Sequence, residues 1–64
     1  MKVIIRDLDE ATGFEFGEFE VSEIEALIRL FKEHGGYYDG NTLTYHSSQF
    51  VPEEKYFEII VTIS

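Results

Sequence analysis

Residues 22–35, SEIEALIRLFKEHG, carry apolar side chains at the spacing of an α-helix. The repeat places four of them on one face, which are Ile24, Leu27, Ile28 and Phe31. Ser22 followed by Glu25 is typical of a capping box at a helix start. Gly35 supplies the left-handed stop at the other end. The sequence therefore predicts a helix over residues 23–34.

The most apolar strands are predicted at the two ends of the chain. Val3-Ile4-Ile5 belongs to the opening strand, and residues 56–63 form the final one. Runs that are apolar on both faces are typical of central strands. A simple meander would leave both strands at exposed edges. We therefore expect them to pair in parallel inside the sheet, with the helix as a right-handed crossover.

The remaining strands flank the helix in sequence. Apolar and polar side chains alternate over residues 14–21, but the alternation shifts by one position between Phe16 and Phe19. A bulge at Gly17-Glu18 would keep four apolar side chains on one face. These side chains are Phe14, Phe16, Phe19 and Val21. After the helix, Asp39-Gly40 between β-favouring residues predicts a hairpin. Residues 47–54, which contain Pro52, are predicted to form the longest loop.

Together the elements predict one α+β domain over residues 1–64, in the order ββαββ. We expect a single helix packed on one face of a four-stranded mixed sheet, with the first and last strands central and parallel. The opening Met1-Lys2-Val3-Ile4-Ile5-Arg6-Asp7-Leu8, the turn through Thr12-Gly13, the helix to Gly35 and the last strand resemble a ubiquitin-like β-grasp domain. Modifiers and sulfur carriers of that superfamily use a C-terminal Gly-Gly tail. This sequence ends in Thr62-Ile63-Ser64, so the resemblance does not imply conjugation or sulfur transfer.

Composition restricts the classes of function. The 64 residues contain no Cys, and 13 acidic residues against 5 basic ones give a net charge of −8. This charge disfavours direct contact with nucleic-acid phosphates or an anionic membrane, so we expect basic or neutral protein partners. No apolar run reaches the ~20 residues that span a bilayer, and no secretory signal is apparent. A cytoplasmic protein is expected.

Carboxylates are concentrated in the first hairpin and at the helix start. The candidate acidic binding face consists of Glu15, Glu18, Glu20 and Glu23. At alternate strand positions, side chains lie roughly 6.8 Å apart. This spacing is compatible with imitation of the phosphates of one DNA strand, which are ~3.4 Å apart along the axis. The same residues could instead form a solvated face that favours solubility and protects an edge strand.

Aromatic side chains provide a second candidate surface. The residues chosen for it are Tyr37, Tyr38, Tyr45, Tyr56 and Ile60. Tyrosines with one apolar and one hydrated end are frequent interface anchors, although half-buried strand positions explain two or more of them better. Ile4, Tyr56 and Ile60 also need cover that one helix cannot give. A homodimer formed through the helix-free face of the sheet would supply it.

No residue pattern predicts catalysis, a metal site or a cofactor. Asp7-Leu8-Asp9 superficially resembles a calcium loop but lacks the required Gly and the flanking helices. His34 suits the negative end of the helix dipole. His46 and Ser47 are neighbours on an extended chain, so their side chains are expected on opposite faces. We expect a protein that is not an enzyme.

Two functions remain from the sequence. The first is a small acidic module for protein–protein interaction or regulation, with a partner that has a basic surface. The alternative is a nucleic-acid-mimicking inhibitor of a DNA- or RNA-binding protein, of the kind that phages or prophages encode. Competition by nucleic acid for a captured partner would distinguish them.

Overall fold

The computed structural model describes residues 1–10 and 12–64, and within them one helix packs against a five-stranded mixed sheet. The elements are β1 (Lys2–Asp7), β2 (Gly13–Glu18), α1 (Val21–His34), β3 (Gly36–Tyr38), β4 (Asn41–Val51) and β5 (Tyr56–Ile63). The strand order is β2-β1-β5-β4-β3. β1 and β5 are parallel neighbours, and the other pairs are antiparallel. The α+β class and the parallel pairing of the first and last strands are confirmed.

The predicted number of strands is wrong, and the difference lies between the helix and the final strand. β3 closes onto β4 through a turn in which Asp39 and Gly40 both have positive φ, as the hairpin signal requires. β4 then continues to Val51 instead of ending before the predicted 47–54 loop. It does so because an irregularity between Tyr45 and Ser47, with His46 as the extra residue, resets its register on β5.

The helix begins two residues earlier than predicted. The residue preceding it is Glu20, and the backbone N–H of Glu20 donates to Oε1 of Glu23 at 2.8 Å. The box predicted from Ser22 and Glu25 is therefore shifted, and Ser22 lies within the first turn. Gly35 ends the helix as predicted, with φ 69° and an N–H bond to the Phe31 carbonyl. Among the described residues, no helix is long and apolar enough to cross a membrane.

The core lies between the helix and one face of the sheet. Its buried side chains are Val3, Ile5, Ile24, Phe31, Leu43, Ile59 and Val61. The predicted helix stripe is confirmed, since Leu27 and Ile28 are half-buried against this cluster. The predicted face of the first hairpin is only partly correct. Phe14 and Phe19 pack on the core, whereas Phe16 is exposed and Val21 lies exposed in the helix.

The bulge in β2 lies one position before the predicted one. Val3 pairs with Gly17 and Ile4 pairs with Glu15, so Phe16 is the extra residue. Gly17 has φ 157°, a value that side-chain-bearing residues rarely adopt, which explains why glycine follows the extra residue. The bulge turns Phe16 toward Phe19, whose ring it stacks on at a centroid distance of 5.6 Å.

The sheet curls until its two edges meet. Phe14 of β2 stacks on Tyr38 of β3, with ring centroids 4.6 Å apart and planes inclined by 13°. These strands occupy opposite ends of the sheet order. The curl therefore creates a seam beside the helix, where side chains of both edge strands face each other.

Candidate interaction surfaces

The tyrosines predicted to form one surface occupy three different places. Tyr37 and Tyr38 are exposed at the seam. Tyr45 lies on the helix side, where its ring is 5.3 Å from Lys32 Nζ and its hydroxyl is 2.9 Å from the Ser48 hydroxyl. The other two members of the predicted set, Tyr56 and Ile60, are half-buried on the opposite face. The structure therefore does not bring the five residues together.

An exposed apolar group does lie at the seam, and we call it the seam patch. It consists of Phe16, Leu30, Tyr37 and Tyr38. Their exposed fractions are 41%, 56%, 77% and 51%. Single exposed apolar residues are ordinary, but a group around one groove is typical of an interaction site. The groove between them has a volume of about 250 Å³.

The seam patch depends on a close approach of β3 to the helix. A Cβ atom on Gly36 would lie 2.9 Å from Cε1 of Phe31, which is closer than side chains tolerate. Glycine at this position therefore lets the chain turn directly from the helix end into β3. As a result, Tyr37 and Tyr38 follow the helix immediately and lie beside Leu30. Sequence reasoning selected both tyrosines but missed Phe16 and Leu30, because their exposure depends on the bulge and the curl.

Cationic groups interrupt the predicted acidic face. Glu15 forms an ion pair with Lys2, with 3.3 Å between Oε1 and Nζ. Glu18, Glu20 and Glu23 line a shallow depression next to Met1, whose amino group is 3.1 Å from a Glu18 carboxylate oxygen. Two of the four carboxylates thus have cationic partners. An interrupted row favours the solubility interpretation over an imitation of evenly spaced phosphates.

The helix-free face of the sheet is centred on an ion pair that sequence reasoning did not find. Arg6 Nε donates to Glu58 Oε1 at 3.0 Å, and Glu58 is only 6% exposed. In the parallel register, Glu58 pairs with Ile4 and Arg6 pairs with Ile60, and both isoleucines are half-buried. No local pattern links residues 52 positions apart, so only the register reveals the pair. The homodimer through this face stays a prediction, and it would cover a charged centre.

The residues considered for catalysis and metal binding lie apart from these surfaces. His46 Nδ1 is 2.9 Å from Ser47 Oγ, so the expectation that they point to opposite faces is wrong, because the strand irregularity rotates them together. Asp7 accepts the Asp9 backbone N–H at 3.0 Å and caps a turn. The calcium loop considered for Asp7 and Asp9 would also use residue 11, which lies outside the described residues. Across residues 1–10 and 12–64, no three His, Asp or Glu side chains converge as metal ligands.

Comparisons with known proteins do not assign the chain to a family. No protein-family model matches it, and neither a curated protein nor a solved structure matches it.

Proposed function

We propose that this chain is a non-catalytic interaction module that binds another protein through the seam patch. The observation that carries the proposal is the grouping of Phe16, Leu30, Tyr37 and Tyr38 around one groove. Aromatic anchors beside aliphatic ones are typical of the centre of a protein interface. The partner covers these side chains and removes their apolar surface from water.

The net charge of −8 supports a partner with a basic surface. Charge complementarity accelerates association and orients the encounter, while the buried apolar centre supplies most of the affinity. Salt should therefore weaken binding without abolishing the apolar contact. At about 0.15 M ionic strength, charges more than ~8 Å apart are already largely screened.

We also propose that the fold is of the ubiquitin-like β-grasp kind. The support is the opening hairpin, the helix that follows it, and the parallel pairing of β1 with β5. A determined structure in which β1 and β5 are not adjacent would contradict this assignment.

Affinity capture with matched variants tests the proposed function. Immobilised wild-type chain should retain a specific protein from native lysate at low salt and retain less of it, but still a measurable fraction, at about 0.5 M NaCl. The double substitution Leu30→Ser and Tyr37→Ser should lose the same protein under both conditions. Leu8→Ser is the control, because Leu8 is 43% exposed but does not belong to the seam patch.

Three results would count against the proposal. They are the absence of any specific protein at low salt, equal retention by the double variant, and equal loss with Leu8→Ser. Duplex DNA added as a competitor distinguishes the nucleic-acid-mimicking alternative. Displacement of the partner by DNA would favour that alternative, and retention would favour an ordinary protein interface.

A further inference from the structure

The outer side of β4 is largely open. β3 pairs only with Asn41–Leu43, at the start of this strand. From Thr44 to Val51, no described segment pairs with the side of β4 that faces away from β5. Long unpaired edges are normally protected by charge, proline or a covering element. The open stretch TYHSSQFV contains no acidic residue, lysine, arginine or proline.

The register identifies the backbone groups that face outward. Thr42 and Ser64 exchange two backbone hydrogen bonds, at 2.9 and 3.0 Å. In an antiparallel pair, such residues alternate with residues whose N–H and C=O groups point to the other side. Beyond the irregularity in β4, the same alternation on β5 makes Ser47, Gln49 and Val51 face β5. The N–H and C=O groups of Ser48 and Phe50 therefore lie on the open side. They can pair with an added strand.

A groove lies next to this edge on the helix side. Its walls are mainly apolar side chains from α1 and from the sheet, including Val21, Ile28, Phe50 and Phe57. Phe50 is 50% exposed, and the groove has a volume of about 320 Å³. A strand paired with Ser48 and Phe50 would direct alternate side chains toward this groove. Backbone pairing and apolar pockets for alternate side chains together are the requirements of recognition by strand addition.

Cationic side chains lie on α1 next to this groove, although the described residues that line the groove itself include Glu25 and no lysine or arginine. Glu25 and Ile28 line both the apolar groove and a shallow depression that also contains Arg29 and Lys32. Lys32 approaches the ring of Tyr45, so these cations lie toward the β3 end of the open edge. Lys2 and Arg6 are ion-paired elsewhere, whereas Arg29 has no carboxylate partner among the described residues.

We propose that the groove between α1 and β4 binds an extended segment of a partner protein as an additional antiparallel strand. In this segment, apolar residues at alternate positions contact the end of the groove at Phe50. Its carboxylates contact Arg29 and Lys32 at the other end. The antiparallel direction is preferred because such pairing is slightly more stable for each residue. A second copy is a poorer occupant, because its own open edge, Thr44–Val51, has no carboxylate to pair with Arg29 and Lys32. The proposal does not depend on the seam patch.

Synthetic peptides test the proposal directly. The probe is fluorescently labelled acetyl-Thr-Val-Thr-Val-Thr-Asp-Asp-amide, and the matched control carries Lys-Lys in place of Asp-Asp. Anisotropy should show saturable binding of the probe and at least about tenfold weaker binding of the control, a difference of about 1.4 kcal/mol. Amide hydrogen exchange followed by NMR should show that the probe newly protects Ser48 and Phe50.

Two charge-matched variants locate the site. Arg29→Glu should weaken the probe about tenfold, whereas Lys55→Glu, which makes the same charge change in the turn before β5, should leave its affinity within about twofold. Absence of binding, equal effects of the two variants, or binding without protection of Ser48 and Phe50 would each overturn the proposal. Concentration-dependent dimerisation that protects these amides without peptide would overturn it in favour of a second copy.

Discussion

The two faces of the sheet are built from alternate residues of the same strands, yet different interactions stabilise them. On the helix-covered face, Ile5 and Ile59 are almost completely buried among apolar neighbours. Their immediate neighbours in sequence, Arg6 and Glu58, point to the other face and form its central ion pair. Dispersion and the hydrophobic effect therefore stabilise one side, and a charged hydrogen bond occupies the other.

This difference follows from what covers each face. The helix excludes water from its side, so a polar group there would need a partner within the core. The opposite face has no such layer, and long side chains such as Arg6 cover it with their aliphatic stems. Glu58 is nevertheless buried there, which makes its partner important. Four substitutions test the comparison, from the largest expected effect to the smallest.

Shortening Ile59 should have the largest effect on stability. Ile59→Ala removes fully buried methyl groups from the covered face and should lower the free energy of unfolding by about 3–4 kcal/mol. A small domain has only about 5 kcal/mol in total, so this variant should be partly unfolded at 25 °C. Ile59→Val should cost about 1 kcal/mol and remain folded. Urea denaturation measures both, and equal small losses would show that the core repacks.

Removing the cation from the helix-free face should rank second. Arg6→Met leaves the buried Glu58 carboxylate without the guanidinium and should cost about 3 kcal/mol. The double variant Arg6→Met, Glu58→Leu removes both charges and should recover most of that loss. Urea denaturation of both variants and of the Glu58→Leu single variant completes a double-mutant cycle. A loss below about 0.5 kcal/mol for Arg6→Met would show that water solvates Glu58 adequately.

Weakening the start of the helix should lower the stability moderately, because it removes one hydrogen bond from the element that covers one face of the sheet. Glu23→Ala removes the acceptor of the Glu20 N–H and should cost about 1 kcal/mol. Glu25→Ala is the matched control and should cost clearly less, since the described hydrogen bond involves Glu23. Thermal unfolding followed by circular dichroism compares the two variants. The opposite ranking would restore the capping box predicted from the sequence.

Removing an exposed ion pair from the helix-free face should have the smallest effect. Lys2→Ala breaks its contact with Glu15, and about half of each side chain is in water. Such pairs contribute only about 0.2–1 kcal/mol, so the loss should be near the lower value and should disappear in high salt. Urea denaturation at two ionic strengths measures it. A loss as large as that of Arg6→Met would show that burial does not explain the difference between the two pairs.

Elements with a strong local pattern could be predicted from the sequence. The apolar stripe of α1 and its stop at Gly35 depend on residues within a few turns, and the structure confirms both. The Asp39-Gly40 turn is equally local, because both positions need positive φ. The prediction failed in β4, where Ser47, Ser48 and Gln49 suggest a loop. Pairing with β5 overrides that weak preference.

The candidate surfaces were less predictable for the same reason. The sequence selected Tyr37 and Tyr38, but the seam patch also requires Phe16 and Leu30, which come from other elements. The open edge of β4 could not be predicted while its residues were assigned to a loop. The acidic residues can be read directly from the sequence, but the ion pairs of Glu15 with Lys2 and of Glu18 with the Met1 amino group depend on neighbouring strands.

By itself, then, the sequence determined the α+β class, the helix and the parallel pairing of the terminal strands, because periodicity and apolar runs are properties of short segments. Only the tertiary structure decided the five-strand order, the meeting of β2 and β3 at the seam, and the Arg6–Glu58 pair. Each of these depends on register and curl between residues far apart in the chain. Such contacts leave no local signal, since either partner alone is compatible with an exposed position.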